Sequence, residues 1–138
     1  MDIIVLQGLP NKGKTETISL AYDIVQNNGG ISTNRTQVGN DPRDFEDILT
    51  NYKSKTIAFY SAGDNSTELS QAIWKYSVAN CDLMVCALST DTVKIRANKA
   101  INVHNPTRLN KTTTPIVSQF QVVNAVDAQT IFSLIWKF

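Results

Sequence analysis

The stretch Gly8-Leu9-Pro10-Asn11-Lys12-Gly13-Lys14-Thr15 constrains this chain more than any other, because it meets the spacing G-x-x-x-x-G-K-[ST] at every fixed position. Ahead of it, Asp2 to Gln7 is an apolar, β-branched run of buried-strand type. Behind it, Thr15 to Gln26 repeats apolar residues at helical intervals. A glycine-rich turn between strand and helix can aim its N–H groups inward as a nest for phosphate oxygens, in a space that β-carbons at Gly8 and Gly13 would crowd. Lys14 supplies a mobile ammonium for the outer phosphates, the Thr15 hydroxyl is placed to ligate Mg2+, and the positive end of the helix faces the same anion. The candidate nucleotide-binding set is Gly8, Pro10, Asn11, Lys12, Gly13, Lys14, Thr15 and Glu16. Lys12 reads either as a further phosphate contact or as a solvated loop lysine.

By this motif the chain resembles the P-loop nucleoside triphosphatase superfamily. The resemblance implies an α/β fold, a doubly wound and mostly parallel sheet with helices on both faces and a nucleoside triphosphate at the carboxyl ends of the strands. ATP with Mg2+ is the default ligand. GTP is the weaker alternative, because the guanine-reading signatures are broken: Asn98-Lys99-Ala100-Ile101 lacks the aspartate, and Asn124-Ala125-Val126-Asp127 lacks the lysine.

A chain of 138 residues suits a single domain, residues 1–138, and leaves little room for appended lids. Its formal net charge of +1 gives no global bias toward nucleic acid, and no apolar run is long enough to span a membrane. Cys81 and Cys86 fall in or beside an apolar run and read as buried thiols, which fits a reducing compartment and a cytoplasmic location.

Along the chain, Ile18, Ala21, Tyr22 and Val25 form the inner face of a first helix, closed by Asn27-Asn28-Gly29-Gly30. Ile31 to Val38 permits a short edge strand. Asp41 with Pro42 reads as the start of a second helix carrying Phe45, Ile48, Leu49 and Tyr52. Thr56 to Tyr60 is a strand, Ser66 opens a third helix, and Cys81 to Leu88 is a strand buried on both faces. Ser89 to Thr114 reads as a basic lid containing a helix from about Asp91 to Val103. Pro115 to Val123 reads as a fifth strand, with Asn124 capping a final helix. The expected sheet is therefore five-stranded.

Beyond the glycine loop, the resemblance directs attention to the end of the Thr56–Tyr60 strand. An aspartate is common there in the superfamily; here Ser61 stands in its place and Asp64 follows. Thr15, Ser61 and Asp64 form the candidate metal set. Asp64 reads equally as a base or ligand and as a turn and helix-cap residue. Lys14, Asp64, Arg96 and Arg108 are the candidate catalytic groups, the two arginines neutralising phosphate charge from the lid or else lying on a solvated basic face. Isolated His104 reads as a loop residue. The expected activity is Mg2+-dependent ATP hydrolysis or phosphoryl transfer to a small acceptor, as in an ATPase or small-molecule kinase. The alternatives are a nucleotide-dependent switch or assembly module acting with a protein partner, and, third, a DNA-linked motor.

Overall fold

A computed structural model describes residues 1–138. The chain opens with β1 (Asp2–Gly8) and α1 (Lys14–Asn27), the strand–loop–helix unit expected around the glycine loop. It then makes β2 (Ile31–Ser32), β3 (Thr36–Gln37), β4 (Phe45–Tyr52) and β5 (Lys55–Tyr60). There follow α2 (Ser66–Val78), β6 (Leu83–Ser89), α3 (Ile95–Val103), β7 (Asn105–Asn110) and α4 (Phe120–Lys137).

The seven-stranded sheet has the order β2-β4-β5-β6-β1-β7, with β3 also paired to β4. Strands β5, β6, β1 and β7 run parallel, while β4 is antiparallel to β5 and is itself met antiparallel by β2 and β3. The expectation of a five-stranded, mostly parallel sheet is thus corrected to a mixed sheet of seven strands with four helices. No helix is long and apolar enough to cross a membrane.

Four local readings account for the difference, the first being that the single edge strand expected over Ile31 to Val38 is two short strands, β2 and β3. The segment expected as a second helix is β4. Phe45 and Leu49 stand four apart, an even spacing that places them on one face of a strand as readily as of a helix, and buried Asp47 completes the alternation. A bulge between Leu49 and Tyr52 brings Tyr52 to the buried side. The turn to β5 is the two-residue loop Lys53-Ser54, with φ of 48° and 61°, a left-handed pair that usually carries Asn-Gly.

The expected lid contains a strand. Asn105-Pro106-Thr107-Arg108-Leu109-Asn110 pairs in parallel with β1 and with no other strand. An edge position tolerates both the proline and the polar side chains that make this hexapeptide look like a loop. The expected fifth strand, Pro115 to Val123, is instead a 3-10 turn at Val117–Gln119 running into α4, with Ile116, Val117, Phe120 and Val122 exposed. The helical frame of Ala128, Ile131 and Ile135 extends back through it and prevails over the strand preference of its β-branched residues.

Period-two alternation divides the core between the two faces. Ile4, Leu6, Ile57, Phe59, Leu83 and Val85 meet α1 and α4 on one side. Ile3, Val5, Ala58, Tyr60, Met84 and Cys86 meet α2 and α3 on the other. Each large aliphatic or aromatic side chain fully buried this way contributes roughly 1.5–3 kcal/mol. The two layers fix the carboxyl ends of β1, β5, β6 and β7 side by side.

Candidate functional site

Those strand ends are stitched together by backbone bonds. Thr90 N–H donates to the Gly8 carbonyl at 3.0 Å, Ser89 N–H to the Gly63 carbonyl at 3.0 Å, and Lys111 N–H to the Gln7 carbonyl at 2.8 Å. Gly63 must be glycine for contact reasons, since a β-carbon there would meet the Ala87 backbone at 2.7 Å. Above this rim lies a cavity of about 360 Å³, within the size range of small-molecule sites.

The glycine loop forms its floor, with Pro10, Asn11, Lys12, Gly13, Lys14 and Thr15 in the lining. Asn11 (φ 59°) and Gly13 (φ 90°) take left-handed backbone, so the loop turns tightly into α1. Lys14 is 7% exposed, and its Nζ donates to the loop's own Leu9 carbonyl at 2.6 Å. Burial pushes its pKa below 10.5, against the opposing pull of Asp64, Asp91 and Asp44, while Lys94 adds to the lowering. The Thr17 hydroxyl donates to the Gly13 carbonyl at 2.7 Å and fastens the loop to the first turn of α1.

Acidic groups stand opposite. Asp44, just before β4, accepts from the Thr15 hydroxyl at 2.8 Å and from the Ser61 hydroxyl at 3.0 Å. Asp64 accepts from Ser89, whose side chain is buried at the end of β6. The cap of α2 is Asn65, which accepts from Glu68 N–H at 3.0 Å, so that role does not fall to Asp64. Arg43 is engaged by Glu16 at 2.7 Å and Asp41 at 2.8 Å.

The remaining wall comes from the carboxyl side of β7 and the start of α4: Thr112, Thr113, Thr114, Phe120, Val123 and Asn124. Asn124 lies directly over Gly13, where its Oδ1 would collide with any β-carbon. Asp127, one turn further on, pairs with Lys111 at 3.0 Å and accepts both the N–H and the hydroxyl of Thr112 at 2.7 Å. The broken guanine-type run Asn124 to Asp127 therefore has its aspartate already engaged by the chain.

The structure brings together Lys14, Thr15, Ser61 and Asp64 around one cavity, while Gly8 lies outside its lining, where a β-carbon would stand 3.1 Å from Lys111 Cβ. It does not bring Arg96 or Arg108 there. Arg96 is exposed on α3, and Arg108, on β7, donates to Gln7 at 3.3 Å and Asn102 at 3.0 Å. Asp44, Ser89, Asn124, Asp127 and Phe120 are site residues that the sequence reading missed. The position of Thr112 to Thr114 just past a parallel strand could have flagged that wall, had β7 been recognised.

No group of three or more His, Cys, Asp or Glu side chains is arranged to hold a metal ion. The hydroxyls expected on magnesium, Thr15 and Ser61, converge on Asp44 instead. With the sheet also different from the five-stranded sandwich, the expectation of Mg2+-dependent ATP hydrolysis or phosphoryl transfer is corrected. With it go the ATPase or small-molecule-kinase assignment and its nucleotide-switch alternative. No family model, curated protein or solved structure matches the chain.

Proposed function

We propose that the chain is a binding module for the phosphate groups of a small organic phosphate, held in the Gly8–Thr15 loop. The observation that carries this reading is Lys14: a buried ammonium on the cavity floor whose hydrogen bond, to Leu9, is made within the loop itself. An ammonium held that way is stripped of most of its water and gains strongly from an incoming anion. Gly13 in left-handed backbone and the amino end of α1 add N–H groups aimed the same way.

Magnesium enters on the ligand in this reading. That ion keeps several waters and takes only one or two carboxylates besides the ligand's phosphates, and Asp44 and Asp64 line the cavity. Cys81 and Cys86, buried and free, fit a reducing compartment.

The test is isothermal titration with inorganic tripolyphosphate, ATP and GTP, each with and without Mg2+. Saturable binding that Lys14→Ala weakens by about 10- to 100-fold is the expected result, the range set by one charge-assisted hydrogen bond. Absence of binding by all three, or unchanged affinity in the variant, overturns the reading.

A further inference from the structure

A second cavity, of about 850 Å³, runs along α1 from Thr15 to Leu20 and shares Thr15, Glu16, Arg43 and Asn124 with the glycine-loop cavity. Leu20 of α1 and Val122 and Ala125 of α4 give it apolar walls, and Arg35, between β2 and β3, stands at its side. Its charged lining residues are Glu16, Arg43 and Arg35. Glu16 and Arg43 neutralise each other at 2.7 Å, which leaves Arg35 as the charge in this groove without an ionic partner.

Arg35 is exposed, yet its position is fixed. Its guanidinium carbon lies 3.9 Å from the centre of the Phe45 ring and 4.8 Å from that of Tyr22, two rings themselves packed edge to face at 5.2 Å. The backbone ahead of it is tied to β4, where the buried Asp47 carboxylate accepts from the Ser32 and Thr33 hydroxyls and from Asn34 N–H at 2.9 Å. The Tyr22 hydroxyl donates to the same carboxylate at 2.7 Å, so the rings under the guanidinium and the segment that carries it are fastened to each other. On this support the guanidinium makes one side-chain hydrogen bond, to Ser19 Oγ at 3.5 Å, the limit of such a contact, and its remaining donors are unused.

We infer that Arg35 binds a carboxylate at the far end of the ligand whose phosphate occupies the glycine loop, making that ligand a phosphorylated carboxylic acid. The inference rests on the phosphate reading above and deepens it. A planar guanidinium presents parallel N–H donors that match a carboxylate, and a single unpaired positive charge balances one carboxylate, where a second phosphate would bring close to twice that charge. Helix α1 sets the spacing: Ser19, beside Arg35, stands one turn beyond Thr15 at the end of the glycine loop, about 6 Å along the axis. The apolar walls along the groove suit the carbon chain that joins the two anionic ends.

The experiment titrates wild type, Arg35→Met and Arg35→Lys in Mg2+ with phosphonohexanoate, in which a phosphonate and a carboxylate close opposite ends of one aliphatic chain. Hexylphosphonate, which lacks the carboxylate, hexanoate, which lacks the phosphonate, and inorganic tripolyphosphate are the comparisons. Wild type is expected to bind phosphonohexanoate about tenfold more tightly than hexylphosphonate, the scale of one charge-assisted contact. Arg35→Met, which keeps an apolar stem over Phe45, should erase that difference and leave hexylphosphonate and tripolyphosphate unchanged. Arg35→Lys, without the planar fork, should keep only part of it. Equal affinity of the two phosphonates in wild type, an equal loss for both in Arg35→Met, or binding of tripolyphosphate with neither phosphonate bound overturns the carboxylate site while the phosphate reading stands. Arg35-dependent binding of hexanoate that the phosphonate does not improve overturns the single ligand and gives the groove a separate acid. Wild type that binds none of these compounds overturns both readings. A circular dichroism melt of Arg35→Met within a few degrees of wild type, with tripolyphosphate affinity retained, assigns the loss to the guanidinium and not to the fold.

Discussion

Thr15 Oγ1 donates to Asp44 Oδ1 at 2.8 Å, tying the end of the glycine loop to the segment that enters β4. The same carboxylate oxygen takes the Ser61 hydroxyl at 3.0 Å, so one negative charge joins the ends of three separate segments. A phosphate arriving alone meets that charge as a repulsion, whereas a phosphate arriving with a divalent cation meets it as a ligand.

Asp44→Asn should therefore act in opposite directions. Without Mg2+ it should strengthen tripolyphosphate binding about fivefold, the order of one screened unit-charge interaction at close range. With Mg2+ it should weaken binding instead. A change of the same sign in both titrations would show that Asp44 acts only through the geometry of Thr15.

Gly13 carries two separate constraints, a φ of 90° and the Asn124 side chain pressed over its Cα. Gly13→Ala should destabilise the fold by about 1–3 kcal/mol, combining left-handed strain with the collision. Asn124→Ala in the same chain removes the collision and leaves the strain. Chemical denaturation of the two single variants and the double variant should then give a favourable coupling of about 1 kcal/mol. Strict additivity would mean that Asn124 swings aside at no cost.

Lys111 is fully buried in its side chain and paired with Asp127, itself largely buried. Asp127→Ala leaves an uncompensated charge and frees two Thr112 donors, and should cost about 3–5 kcal/mol. Replacing the pair together, as Lys111→Met with Asp127→Leu, should recover most of that loss. Denaturant midpoints of the single and double variants decide it, and a double variant no better than Asp127→Ala would place the cost in the Thr112 bonds alone.

The parts of this molecule legible in its sequence are those where local pattern and tertiary demand agree. The apolar run of β1, the loop from Gly8 to Thr15 and the 3.6-residue period of α1 and α2 fall where the residues indicate. β6, buried along its whole length, could be read from composition alone. Legibility failed where spacing was degenerate, as at Phe45 and Leu49, where a turn used left-handed Lys53 and Ser54 instead of Asn-Gly, and where the edge strand β7 needed few apolar residues. The site shows the same division. The glycine-loop residues are contiguous and carry their own pattern, but Asp44, Asn124 and Phe120 reach the cavity only through the antiparallel β4 and the early start of α4.

Lys14 gives the cavity a pH signature. Burial is the main force lowering its pKa from 10.5, with Asp64, Asp91 and Asp44 opposing it. In the free protein the ammonium therefore loses its proton earlier than an ordinary lysine, while a bound phosphate would pull the pKa back up. Binding in the interval between those two pKa values must take up a proton, so affinity should fall as pH rises through the free-protein value, at most tenfold per pH unit. Stability of the ligand-free chain should move the other way. Between the folded pKa and 10.5 the unfolded chain still holds the proton that the native state has released, so unfolding free energy rises with pH there. Titrations in two alkaline buffers of different ionisation enthalpy would count the proton directly. In Lys14→Arg, whose guanidinium does not deprotonate in this range, affinity should no longer fall through that window. A persistent fall in the arginine variant would assign the titration to another group, and Lys14 would lose its place as the charge that meets the phosphate.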